Sequence, residues 1–112
     1  MSTCPEDLKE LLKVIYNLSS SEVEVLYHLC GNSRKRVNII AKSLNRDRST
    51  IQRILNNLLS VGLVKRKTNT YDNNKKGRYY TYSTIDKKDL KNRIRKKIED
   101  WETNKLNVLK SL

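Results

Sequence analysis

The chain has no phenylalanine, one proline, three glycines, one histidine and two cysteines in 112 residues. Cys4 and Cys30 lie far apart without a CxxC spacing, so no disulfide framework is indicated. A single histidine excludes HExxH, and neither a glycine-rich phosphate loop nor a GxSxG turn is present, so enzymatic activity is not expected. His28 precedes Cys30 by two residues, and with Cys4 this pair offers a metal or oxidant-sensing site. Closed zinc sites take four ligands, so the alternative is simply a buried Cys30, and neither metal nor cofactor is expected. No stretch approaches ~18 consecutive apolar residues, and Glu6 and Asp7 stand where a signal peptide needs a basic start. The expectation is a cytoplasmic, nucleoid-associated protein with no membrane contact. A chain of this length supports one modest core, so one domain is expected.

Positive charge, by contrast, is plentiful. The formal net charge is +12, and it is unevenly spread. Residues 1–30 hold two lysines and five acids, net −3, while residues 31–84 hold thirteen Lys/Arg and two acids, net +11. Residues 85–112 hold nine basic and five acidic side chains, net +4. A solvated basic surface is the plain reading of such an excess. Its coincidence with the motif described next favours a nucleic-acid partner.

Leu8, Leu11, Leu12 and Ile15 recur at helical spacing behind Pro5, Glu6 and Asp7, which predicts a first helix over about residues 5–17. Ser19 and Glu22 form a capping box, with Leu18 and Val23 placed as its hydrophobic staple, opening a second helix over about 20–30. Val23, Val25, Leu26, Tyr27, Leu29 and Cys30 make that helix apolar nearly all round, so it needs cover on several sides, from its own chain or a partner. Gly31 and Asn32 end it, and residues 33–36 form a basic connector.

Residues 37–66 read as a helix-turn-helix running into the first strand of a basic wing. Ile40, Ala41, Leu44, Asn45, Ile51 and Ile54 supply, in order, a packed apolar residue, a small contact residue, a second apolar residue, a turn residue tolerant of positive φ, and two apolar residues beneath the second helix. Asp47 stands as an N-cap for that helix, whose stripe is Ile51, Ile54, Leu55, Leu58 and Leu59. Arg48, Ser49, Thr50, Gln52, Arg53 and Asn56 lie on the other faces, and these residue types bond base edges and phosphates. An ordinary solvated helix surface is the alternative. The expected groove is the major groove.

Gly62 closes this helix, and β-prone runs starting at about 63 and 78 flank the polar segment NTYDNNKKGR, predicting a hairpin. Lys65, Arg66, Lys67, Lys75, Lys76 and Arg78 place six positive charges on it, suited to a phosphate backbone or a minor groove. Tyr79, Tyr80 and Tyr82 invite a stacking platform for single strands. Alternating faces make core and cross-strand packing the favoured role. From Asp86 the pattern is helical, about 40 Å long, and Ile94, Trp101 and Val108 repeat every seven residues with Ile98 and Leu112 in the complementary position. A short, imperfect coiled-coil dimer interface follows, interrupted by Lys105. The alternative is a helix that folds back on the first helix of its own chain.

On LSSSEVEVLYHL, RSTIQRILNNLLSVGLVKRK and GRYYTYS, together about residues 18–84, the chain resembles the archaeal TrmB-like winged-helix transcription regulators, a group close to the MarR-like proteins. The resemblance implies a mainly α fold with a small β-hairpin wing, and a dimer that binds double-stranded promoter DNA sequence-specifically. It assigns reading to the helix carrying Arg48 to Asn57 and the wing to the loop between Asn69 and Arg78. Arg36 stands where relatives carry a Ser or Thr cap, and Arg46 where an apolar residue follows the turn. The large sugar-binding domain of the longest relatives does not fit the length, so sensing by that route is not expected, and no small-molecule effector is assigned. Residues 1–85 are expected to form a winged helix-turn-helix domain and residues 86–112 a dimerisation helix. Against this homodimeric regulator stands an architectural DNA-coating protein of low sequence preference. A winged helix used only for protein contact would have no need of the basic middle segment.

Overall fold

A computed structural model describes residues 4–31, 34–71 and 77–112. Their order is α1 (Asp7–Ile15), α2 (Ser20–Leu29), α3 (Val37–Leu44), α4 (Arg48–Ser60), β1 (Val64–Thr70), β2 (Arg78–Thr84) and α5 (Lys87–Lys110). The fold is mainly helical with one hairpin, as the periodicities predict.

Local chemistry sets several boundaries. At the start of α2 the Ser19 N–H donates to Glu22 Oε1 at 2.9 Å and the Glu22 N–H donates to Ser19 Oγ at 3.2 Å, a complete capping box. Leu18 and Val23 are both buried beside it. At the end of α3, Asn45 takes the left-handed conformation (φ 53°, ψ 51°), and the Arg46 N–H returns to the Ala41 carbonyl at 2.9 Å. This turn of residues 45–47 lets α4 cross α3 at once. Helix α1 begins at Asp7, two residues later than expected, leaving Pro5 outside it, whereas Asp47 occupies the N-cap of α4 as expected but makes no side-chain bond to the helix.

The core lies where α2, α3 and α4 meet the base of the hairpin. Ile51, Ile54, Leu55 and Leu58 place the buried stripe of α4 against Val25, Leu26, Leu29 and Ile40, with Leu63, Val64 and Tyr82 closing the base. Each such aliphatic side chain contributes about 1.5–3 kcal/mol by leaving water. Helix α2 is covered by its own chain, since Val23, Val25, Leu26 and Leu29 are all buried. The hairpin is antiparallel, registered from Val64↔Thr84 to Thr70↔Arg78. Lys35 adds a single antiparallel bridge to β2: its N–H donates to the Tyr82 carbonyl at 3.0 Å, and its carbonyl accepts the Tyr82 N–H at 2.7 Å.

Cys4 and Cys30 are joined in a disulfide, contrary to the sequence reading. The bond ties the segment before α1 to the end of α2, where the Tyr27 hydroxyl also donates to the Pro5 carbonyl. Helix α5 leaves the hairpin beside this point. Its first half packs on α1, burying Leu90 and Ile94 with Leu12, and the Tyr16 hydroxyl donates to the Arg93 carbonyl at 3.4 Å. Beyond Ile98 every residue of α5 is exposed, and the molecule extends 66 Å along its long axis against 28 and 25 Å. Ile94, assigned by its heptad position to a dimer seam, is instead 7% exposed within the core of its own chain. Its heptad partners Trp101, Val108 and Leu112 are exposed.

Candidate nucleic-acid interface

Because α4 turns about 100° per residue, burying Ile51, Ile54, Leu55 and Leu58 forces Ser49, Arg53 and Asn56 onto the opposite face. All three are exposed, as is Arg48, while Thr50 and Gln52 are half-buried on the flanks. Gln52 points toward the wing. Its amide nitrogen donates to Tyr82 Oη and to Asn56 Oδ1, both at 3.1 Å. This sequence-assigned reader is therefore already engaged in the protein, and Tyr82, itself 1% exposed, is the pillar that aims it. The bonds spend one amide N–H donor pair and leave the Gln52 carbonyl free to accept.

Arg53 lies toward α2, near Glu22. Burial pushes the Glu22 carboxyl upward. Hydrogen bonds from the Ser19 backbone, the Asn57 amide and the Ser19 hydroxyl, together with the positive charge of Arg53, reverse this and hold it below the usual carboxylate range. The acid is thus kept ionised, close to a residue of the outer face of α4.

The wing divides its charges. Lys65, Arg66 and Lys67 are all exposed, but alternation along β1 puts Arg66 on one face and the two lysines on the other. Arg66 lies over the Tyr80 ring, 4.3 Å from its centroid, and Lys65 pairs with Asp86 at 3.3 Å. Arg78 is exposed at the far end of β2, paired in register with Thr70. Lys75 and Lys76 lie outside the described residues. Of the three tyrosines, Tyr82 is core, Tyr79 is half-buried and Tyr80 is cross-strand cover for Arg66, which matches the packing role and leaves no continuous stacking platform among the described residues.

A clamp that the sequence reading missed fixes the wing to the helix-turn-helix. Arg36, at the N-cap of α3, makes no capping bond. Instead its guanidinium lies 4.5 Å from the Tyr79 ring centroid and 5.7 Å from that of Tyr71, and donates to Tyr71 Oη at 3.1 Å. The two rings are 4.9 Å apart. A cation set against a pair of touching aromatic rings is a favourable arrangement, and here it joins the start of α3 to Tyr71 just beyond β1 and to Tyr79 of β2. Arg46 has a similar explanation: it pairs with Glu24 of α2 at 2.9 Å, holding the turn where an apolar residue would pack. Both arginines looked like departures from a pattern, and both have a partner distant in sequence.

Among the described residues, no three His, Cys, Asp or Glu side chains gather to hold a metal ion, and no helix is long and apolar enough to cross a membrane.

A helix-turn-helix whose second helix bares a polar outer face, flanked by a clamped basic hairpin, is a winged helix-turn-helix of the DNA-binding transcription-regulator class. The family model described as sugar-specific transcriptional regulator TrmB matches residues 12–88, from α1 into α5, and the chain belongs to that family. The protein MJ1503 of Methanocaldococcus jannaschii is 39% identical over 95 residues, 84% of this chain and 70% of that protein. A possible transcriptional regulator from Methanosarcina mazei superposes with a TM-score of 0.80 at 24% identity, covering 93% of this chain and 87% of the other. A mutant of Staphylococcus aureus MepR bound to an oligodeoxyribonucleotide superposes at 0.59 and 16% identity, covering 96% of this chain and 74% of the other. These two superpositions bear on the fold, and the family match bears on the class of function.

Proposed function

We propose that the protein is a homodimeric, sequence-specific regulator that places α4 in the major groove of double-stranded DNA and the wing along the adjacent backbone. The observation that carries this reading is the outer face of α4, where Arg48, Ser49, Arg53 and Asn56 stand exposed, on a chain whose hairpin also exposes Arg66, Lys67 and Arg78. Arginine grips guanine and asparagine or glutamine grips adenine bidentately, while the lysines and arginines of the wing neutralise phosphates. Residues 1–85 act as the DNA-binding unit and residues 86–112 as the assembly helix, with Ile98, Trp101, Val108 and Leu112 meeting a second copy. Two reading heads on one dimer call for a roughly palindromic site. Occupying that site blocks or assists the transcription machinery, in the cytoplasm where the nucleoid is. No catalytic step, metal or cofactor enters.

Selection from a randomised duplex pool tests the reading. Enrichment of one motif by ~10³ or more over bulk DNA is expected. Uniform retention with a steep salt slope would instead mark an architectural DNA-coating protein. Replacing Gln52 and Arg53 by Ala is expected to lower affinity for the selected site more than for bulk DNA. Equal losses would remove α4 as the reader.

A further inference from the structure

Gln52, Asn56 and Tyr82 are linked by hydrogen bonds whose polarity limits what α4 can read. The two N–H donors of the Gln52 amide go to Tyr82 Oη and Asn56 Oδ1, both at 3.1 Å. Its carbonyl oxygen accepts no bond among those described, and both its lone pairs remain. We propose that Gln52 reads DNA as an acceptor only, selecting a base with an amino group in the major groove, adenine or cytosine, and that the Tyr82 hydroxyl imposes this choice without touching DNA. The proposal rests on the reading of α4 as the major-groove helix and names what one position of that helix recognises.

A free glutamine grips adenine with both ends of its amide, the oxygen on the N6 amino group and the nitrogen on N7. With the nitrogen engaged inside the protein, the N7 contact is lost. What remains is one acceptor, which the N6 amino group of adenine and the N4 amino group of cytosine both satisfy. Guanine and thymine present the oxygens O6 and O4 instead, and two acceptors facing each other share no proton. The position therefore admits two bases and refuses two.

The surroundings hold the amide this way round. Tyr82 is 1% exposed, and a buried phenol hydroxyl needs a partner, so releasing Gln52 to the DNA would leave that oxygen unsatisfied. The Tyr82 backbone is fixed by its reciprocal bonds with Lys35, so the hydroxyl stays where the core puts it. Asn56 lies one turn further along α4, the i, i+4 spacing at which a glutamine amide bonds an asparagine. That bond occupies the Asn56 oxygen and leaves both donors of its nitrogen, so the same side of α4 offers an acceptor at Gln52 and donors at Asn56.

Selection from a randomised duplex pool, run in parallel on wild type, Gln52→Ala, Gln52→Glu and Tyr82→Phe, tests the assignment. The position whose preference disappears in Gln52→Ala is the one that Gln52 reads. In wild type, adenine and cytosine are expected there at about fivefold or more over guanine and thymine. Tyr82→Phe keeps the ring and frees one N–H for N7, so it is expected to narrow the position to adenine, by about the same factor over cytosine. A hydroxyl with a merely structural role would change stability or affinity and leave the base profile alone. Gln52→Glu has no donor to free and is expected to go on excluding guanine and thymine at lower overall affinity, which decides the matter if Tyr82→Phe does not fold. Guanine or thymine at that position in wild type overturns the proposal, because the amide would then be donating. So does a folded Tyr82→Phe protein with the wild-type profile, and so does a Gln52→Ala protein that selects an unchanged motif. Those outcomes leave α4 as the reader through Arg48, Arg53 and Asn56. A wild-type selection that enriches no motif removes the sequence-specific reading itself, and this proposal with it.

Discussion

At Gly62 two constraints coincide. Its φ of +82° is costly for any residue with a Cβ, and a Cβ there would lie 2.6 Å from Nη1 of Arg93, which reaches over from α5. Gly62→Ala is therefore expected to lose roughly 1–2 kcal/mol of stability in urea titration. Arg93→Ala should recover the steric part and leave the backbone part, so the double variant falls between. Glu22 makes a second residue-scale prediction. Its folded pKa lies below the unfolded value of about 4.3, so the folded state binds fewer protons. The stability it contributes is fully present above pH ~4.3 and is lost as pH falls through the folded value. Glu22→Gln removes that contribution, so the stability gap between wild type and variant should be open at neutral pH and close as acid takes the carboxyl through its lowered folded value. A gap that does not narrow would mean the bonds to Ser19 and Asn57 do not depend on the charge. Both features differ in legibility. Glu22 could be read from Ser19 three residues earlier, because a capping box is local, whereas the Arg93 guanidinium over Gly62 arises from a contact between residues 31 apart.

The elements repeat this division. Helices α2, α3 and α4 and the left-handed Asn45 were legible because apolar spacing and turn chemistry act within a few residues. The wing's ends were legible for the same reason, but its attachment was not: Arg36, Tyr71 and Tyr79 are separated by up to 43 positions, and the register of the hairpin and the pairing of Lys35 with Tyr82 bring them together. An arginine at a helix N-cap reads as a missing cap until its partner is seen. The clamp has an observable consequence. Arg36→Ala should free the hairpin from α3, so that fewer wing cations settle on phosphates and the slope of log K against log salt falls by about one per lost contact. Arg36→Lys should restore it only in part, since an ammonium keeps the charge and loses the planar stack. Fluorescence anisotropy with a labelled duplex over a salt series measures both. An unchanged slope in Arg36→Ala would show that the wing holds its angle without the clamp.

For the whole molecule, the feature least visible in the sequence is the Cys4–Cys30 bond. Spacing rules recognise frameworks and CxxC motifs, and a lone pair separated by 26 residues satisfies neither. What brings the two together is the path of the chain: α1 runs back along α2, Tyr27 holds Pro5, and Cys4 arrives at the end of α2. Closing a loop of that size restricts the unfolded chain, and the chain-entropy relation puts the stabilisation at about 3.5 kcal/mol. Cys4→Ser should therefore unfold at lower urea than the oxidised wild type. Wild type treated with a dithiol reductant should fall to the same midpoint, because both lack the same restraint. A variant matching the oxidised protein would mean that the thiols do not bond in solution. The loss should also extend beyond folding. Cys4 and Pro5 line an open groove beside α5, and opening the disulfide leaves this segment held at the Pro5 carbonyl by the Tyr27 hydroxyl of α2 and the Leu8 N–H of α1. Because α5 packs against this segment and is the proposed assembly helix, reduction should weaken self-association at protein concentrations where the head is still folded. Through the dimer it should also lower affinity for a palindromic duplex more than for a half-site.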